Sequence, residues 1–172
     1  GESERDGWRH LYRVSRDGQN IAPITKGNFD YISPVGTDLK RGYTYFTASP
    51  DNFTQRYLYR AKLSGKGEAE RVSPLNQAGQ HSYQMSPSGE WAVHTFSNAA
   101  TPPVVDMVSF PKHNSVRTIE DNAKAKQQYA ALGLHPKEFV KTQSGDLTLD
   151  AWIIKPRDFD PSKKYPVIIE VY

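Results

Sequence analysis

Leu11-Tyr12-Arg13-Val14 recurs as Leu58-Tyr59-Arg60-Ala61, an offset of 47 residues, and Val105-Asp106-Met107-Val108 stands at the same offset again. A fixed period of this length marks an array of supersecondary units, because one such unit cannot bury its apolar face without a neighbour. Each copy runs into a polar turn: Asp17-Gly18, then Ser64-Gly65-Lys66-Gly67, then Pro111 to Asn114. A short apolar-and-hydroxyl element follows each turn, namely Ile24-Thr25, Val72-Ser73 and Thr118-Ile119. Apolar arms on either side of a breaker-rich turn read as a β-hairpin.

Further strand pairs lie between the hairpins: Asp30 to Val35 with Gly42 to Ser49, and His81 to Met85 with Trp91 to Ser97. Their turns are expected at Gly36-Thr37-Asp38 and Ser86-Pro87-Ser88-Gly89. Two strands and a hairpin make a four-stranded unit, and a four-stranded unit with a period near 47 residues is what a β-propeller blade requires. A β-sandwich, which also spaces its strands regularly, is the alternative. The pattern changes after Ile119. Asp121-Asn122 can cap a helix from Ala123 to Leu132, with Gly133 placed to end it. Glu138 to Thr142 and Leu147 to Lys155 read as a hairpin about Ser144-Gly145-Asp146, and Val167 to Val171 as a β-branched strand of the kind buried in a mixed or parallel sheet. The expected organisation is residues 1–120 as part of a propeller (about two and a half blades), 121–136 as a linker helix, and 137–172 as the start of a second domain.

Composition narrows the class. The chain has 172 residues, 37% of them hydrophobic, and its apolar runs, such as Val167-Ile168-Ile169, are far short of the roughly 20 residues a membrane helix needs. Basic residues exceed acidic ones by 3 and are scattered, so a nucleic-acid surface is not expected. There are no cysteines, which excludes disulfides, thiolate zinc sites and a Cys nucleophile. The first residues, Gly1 to Asp6, lack the basic-then-apolar pattern of a secretory signal.

Motifs for chemistry are sparse. His10, His81, His94, His113 and His135 show no HExxH or other metal spacing, and neither a Gly-rich phosphate loop nor a GxSxG elbow occurs. No metal and no cofactor are therefore expected. The 10 Tyr and 7 Phe residues suit packing within and between sheets. Asn52-Phe53-Thr54 fits the glycosylation pattern and also reads as a surface turn.

Gly7-Trp8-Arg9-His10-Leu11-Tyr12, Ile119-Glu120-Asp121-Asn122 and above all the run from Phe159 through Lys163-Lys164-Tyr165-Pro166 to Tyr172 resemble the dipeptidyl peptidase IV branch of the prolyl oligopeptidase family of serine peptidases. The resemblance covers essentially the whole chain. It implies a mainly β protein: the last blades of a β-propeller followed by the first strands of an α/β-hydrolase domain. It also implies a parent that releases Xaa-Pro or Xaa-Ala dipeptides from peptide N-termini through an acyl-enzyme. Related readings are another peptidase of the family, such as an acylaminoacyl peptidase or oligopeptidase, or a propeller that binds without catalysis.

By the same resemblance, Tyr172 matches the tyrosine whose hydroxyl serves the oxyanion hole. The triad Ser, Asp and His have no counterpart in this chain, nor do the paired glutamates that hold a substrate's amino terminus, since Glu2 and Glu4 do not sit in that motif. The segment alone is thus expected to be inactive. Peptides are the implied substrates, a homodimer the implied assembly of the parent, and a periplasmic or secreted location the implied compartment.

Overall fold

A computed structural model describes residues 1–171; the expected site residue Tyr172 lies outside the described residues. The chain divides into two compact units, Gly1–Lys124 and Ala125–Tyr172. The first is built of antiparallel sheets in sequence order. A three-stranded sheet holds β1 (Glu2–Ser3), β2 (His10–Val14) and β3 (Ile21–Pro23). Two four-stranded sheets follow: β4 (Ser33–Asp38), β5 (Tyr43–Ala48), β6 (Tyr57–Lys62) and β7 (Glu70–Arg71), then β8 (Gln80–Met85), β9 (Trp91–Asn98), β10 (Thr101–Ser109) and β11 (Asn114–Glu120). Each strand pairs with its sequence neighbours, the meander of a propeller-type blade.

The 47-residue repeat has a structural cause. Where the outermost strand leaves its neighbour, the Thr25 hydroxyl accepts the Leu11 N–H at 2.9 Å, and the Ser73 hydroxyl accepts the Leu58 N–H at 3.2 Å. The backbone N–H groups of Ile24 and Val72 donate to the same two residues' carbonyls, at 2.7 and 2.8 Å. A hydroxyl thus satisfies a donor that the ladder no longer reaches, which explains the hydroxyl after each of the first two turns; in the third copy Thr118 lies within the ladder, opposite Asp106. The residue two places before each of these repeats also joins one blade to the next. Tyr31 N–H donates to Arg9 O at 2.7 Å, and His81 N–H donates to Arg56 O at 3.1 Å.

β5 and β6 are buried on both faces because alternate residues point to opposite sides. Phe46, Ala48, Tyr59 and Ala61 pack with Ile24, Phe29 and Tyr31 toward the first blade. Tyr45 and Leu58 pack with Ala92, Val108 and Phe110 toward the third. Blade faces also meet at turns. A Cβ on Gly89, whose φ is +71°, would stand 2.9 Å from Asp38 Cβ, so this tight turn of the third blade accepts only glycine without displacement.

Two expectations need correction. Gly36-Thr37-Asp38 is not a turn: β4 runs through it after a register shift between Pro34 and Gly36, and the turn falls at residues 39–42. The shift lets Gly36 lie against the Met85 side chain, where a Cβ would come within 2.7 Å of sulfur. Val167 to Val171 forms no strand among the described residues; Ile168 is 97% exposed, since an extended run without a partner has no ladder to join.

At the junction, Asp121 Oδ1 accepts the Ala123 N–H at 2.9 Å and starts α1 (Ala123–Ala131), and Gly133, at φ +57°, follows its end. The helix buries none of its side chains. In the second unit β12 (Glu138–Ser144) and β13 (Leu147–Ile153) form a hairpin in continuous register from Glu138 opposite Ile153 to Ser144 opposite Leu147. Its apolar residues Phe139, Leu147, Leu149 and Trp152 are exposed. A two-stranded hairpin of this kind is marginally stable by itself.

Candidate functional site

The densest group of chemically capable side chains lies in the third blade. His81 and Tyr83 are two apart on β8 and share one face. Register places Tyr83 opposite His94 of β9 and His94 opposite Asp106 of β10. His113, in the β10–β11 turn at φ +56°, brings its ring over the same face. The His81 and His94 rings stack with centroids 5.1 Å apart, and the His113 ring stands edge-on to His94 at 4.8 Å. His81 and His94 are 1% and 3% exposed.

The hydrogen bonds form a row. His81 Nε2–H donates to the Gln77 carbonyl at 2.8 Å, which leaves Nδ1 of the neutral ring to accept from His94 Nε2–H at 2.9 Å. His94 Nδ1 lies 2.8 Å from Asp106 Oδ1. Three contacts in the row need three hydrogens and two neutral rings bring two, so the third, when bound, sits between His94 and Asp106. Tyr83 donates its hydroxyl to His113 Nε2 at 2.8 Å.

Burial dominates the titration of this group. It pushes His81 down to about 4, against the Gln77 carbonyl that favours the charged ring, and pushes His113 down to about 4, with His94 adding to the effect. His94 is lowered by burial too, and the Asp106 carboxylate opposes that shift. Burial, then the nearby Asp106 charge, raises the Tyr83 phenol.

His94 and Asp106 resemble the base and orienting carboxylate of a catalytic triad, yet the nitrogen that would face a nucleophile faces His81. The hydroxyl nearest the row, that of Tyr83, lies 3.4 Å from His81 Nδ1 and donates to His113, so it is not presented to His94 as a nucleophile. Among the described residues no group of three or more His, Asp and Glu is placed to hold a metal ion. His10, in the first blade, has both ring nitrogens occupied by hydrogen bonds. Its Nε2–H donates to Gly27 O at 2.9 Å, and its Nδ1 accepts from the Thr25 hydroxyl at 3.0 Å.

A second polar group ties the middle blade together. Asp51 accepts from the Tyr59 hydroxyl at 2.7 Å and from Arg71 at 3.1 Å, while the Arg71 guanidinium lies 3.6 Å from the Tyr57 ring centroid. Asn52 is exposed, and its side-chain oxygen accepts from both the N–H and the hydroxyl of Thr54, so the Asn-Phe-Thr motif folds as a surface turn.

The approach to Tyr172 is a self-closed turn. Asp160 accepts from the Ser162 N–H at 3.0 Å and its hydroxyl at 2.7 Å, and Asp160 N–H donates to the Tyr165 hydroxyl at 2.9 Å. Tyr165 also stacks on Phe159 with centroids 5.4 Å apart. The motif that carries the family resemblance is thus held by its own side chains. Spacing along the chain did not reveal the histidine cluster, because 81, 94 and 113 meet only through strand register and a turn; the alternation His81-x-Tyr83 opposite His94-x-Phe96 was the available signal.

Comparison with known proteins agrees with this architecture. Residues 2–103 match the dipeptidyl peptidase IV (DPP IV) N-terminal region. The chain is 27% identical over 97% of its length to a protein of Emericella nidulans named "Probable dipeptidyl-aminopeptidase B", and covers 19% of that protein. It is 30% identical, again over 97% of its length, to the protein of the same name from Coccidioides posadasii, of which it covers 18%. The crystal structure of Porphyromonas gingivalis dipeptidyl peptidase 4 superposes with a TM-score of 0.86 at 33% identity, over 96% of this chain and 23% of that one. The chain therefore spans about a fifth of the length of the curated relatives it matches. With a family match over more than half its residues, on blades whose repeat the sequence itself displays, this chain belongs to the dipeptidyl peptidase IV N-terminal region family.

Proposed function

We propose that the chain is an internal part of a serine exopeptidase that releases Xaa-Pro or Xaa-Ala dipeptides from peptide N-termini. The observation that carries this reading is similarity to dipeptidyl peptidases over 97% of the chain, together with the Lys163-Lys164-Tyr165-Pro166 motif near its end. On this reading residues 1–120 are the closing blades of a propeller that limits access to small or unfolded peptides. Residues 121–136 link it to a hydrolase domain that begins at 137–172.

Tyr172 is the oxyanion donor: a fixed O–H aimed at a developing tetrahedral oxyanion is worth several kcal/mol where water is excluded. The nucleophile, acid and base are supplied by other parts of the polypeptide, so the 172 residues alone do not turn over substrate. Peptides are the substrates, no cofactor takes part, the whole enzyme is homodimeric, and it works in the periplasm or outside the cell.

Chromogenic Gly-Pro and Ala-Pro substrates with free amino termini, set against the same substrates acylated at the amino terminus, test the proposal on the whole polypeptide. Cleavage restricted to the free form is the expected result. Preference for the acylated form makes the protein an acylaminoacyl peptidase or oligopeptidase instead, and cleavage of neither makes it a binding relative.

A further inference from the structure

We propose that the His81–His94–His113 cluster makes the third blade, β8 to β11, an acid-sensitive element: it accommodates one protonated ring, the one against Asp106, and the blade opens when a second ring takes up a proton. A count of charges carries the inference. The rings lie 5.1 and 4.8 Å from one another in sequence, His81 to His94 to His113, and the carboxylate that reaches them, Asp106, is already on His94. A second imidazolium would stand about 5 Å from the first, stacked on it at His81 or edge-on at His113, in a site from which water is largely removed.

A count of hydrogens points the same way. His81 already donates from Nε2 to the Gln77 carbonyl and accepts at Nδ1 from His94. A proton added to Nδ1 would face that N–H and break the contact, and the other acceptor near Nδ1, the Tyr83 hydroxyl oxygen, stands 3.4 Å away, too far for a strong hydrogen bond. The other groups facing the cluster do not relieve it. Tyr83 from β8 donates to His113, and the Tyr57 ring from β6 lies 5.8 Å from His81. Arg71 from β7 is cationic and further disfavours a charged His81.

The direction of the pH effect follows. Exposed imidazoles titrate near 6.5, whereas His81 and His113 in the closed blade titrate near 4. Between those values an opened blade binds protons that the closed blade refuses. Closure is therefore fully favoured above about pH 6.5 and loses ground as pH falls toward 4. At pH 5 each ring shifts the opening equilibrium on the order of tenfold.

Hydrogen–deuterium exchange of the intact protein at pH 7 and pH 5, corrected for intrinsic exchange rates, tests this with β4 to β7 as internal reference. The expected result is that protection of β8 to β11 relative to β4 to β7 falls on the order of tenfold or more. His113→Asn, a substitution that the left-handed backbone at 113 tolerates, is expected to reduce that fall, and His81→Phe to reduce it as well. A relative protection constant within about twofold would overturn the proposal, and so would a fall of unchanged size in His113→Asn. If His81→Phe does not fold, the unaltered protein and His113→Asn decide the matter.

Discussion

The second and third blades place different chemistry on one scaffold. Leu58 and Val105 occupy the same place in the repeat, so Tyr59 corresponds to Asp106, and their cross-strand partners Phe46 and His94 correspond as well. In the second blade the pair is aromatic: Phe46 is fully buried and stacks on Phe29 and Tyr59 with centroids 6.4 and 6.3 Å apart. In the third the pair is imidazole and carboxylate, joined at 2.8 Å. The backbone tolerates either because blade geometry depends on the ladder and its turns, while the inward-facing positions need only be filled and satisfied. What differs is the response to solvent, since the aromatic pair has nothing to titrate near neutrality and the polar pair does.

The largest expected effect that separates the blades is on packing. Phe46→Ala should cost about 3–5 kcal/mol, read as a shift in the denaturant midpoint, and the loss should be the same at pH 7 and pH 5. Asp106→Asn should cost less, about 1–3 kcal/mol at pH 7, and should steepen the loss of stability on acidification because no ring then has a counter-charge. An Asp106→Asn loss no larger at pH 5 than at pH 7, as expected for Phe46→Ala, would erase the distinction between the blades.

Ser73→Ala should cost about 1 kcal/mol by orphaning the Leu58 N–H, and Thr25→Ala should cost more in the first blade because it also removes the hydroxyl from His10 Nδ1. The smallest effect is on the surface. Arg60 and Glu70 pair at 2.7 Å across β6 and β7 with Glu70 about half exposed, so Glu70→Gln should change stability by less than about 1 kcal/mol and by less still in high salt.

The readability of these features from sequence follows from their range. Hairpins, the hydroxyls at 25 and 73, and the Asp121 cap are local, and a few adjacent residues specify each of them. The course of β4 is hidden because Gly36-Thr37-Asp38 has turn composition, and only the approach of Met85 from the next blade explains a glycine inside a strand there. The histidine cluster depends on register between β8 and β9, on the facing strand β10, and on a turn that returns His113, none of which spacing encodes. Val167 to Val171 shows the converse. Its composition is that of a buried strand, and composition cannot supply the neighbour that a ladder requires.

The most direct measurement is dipeptide release from Gly-Pro and Ala-Pro substrates by the whole polypeptide and by its Tyr172→Phe variant, each with the folded state checked. The account predicts cleavage by the unaltered enzyme and a fall in kcat of about 100-fold or more in the variant, with KM little changed. Cleavage that survives Tyr172→Phe at full rate would contradict the oxyanion assignment, and a folded parent that cleaves neither substrate would contradict the peptidase reading itself.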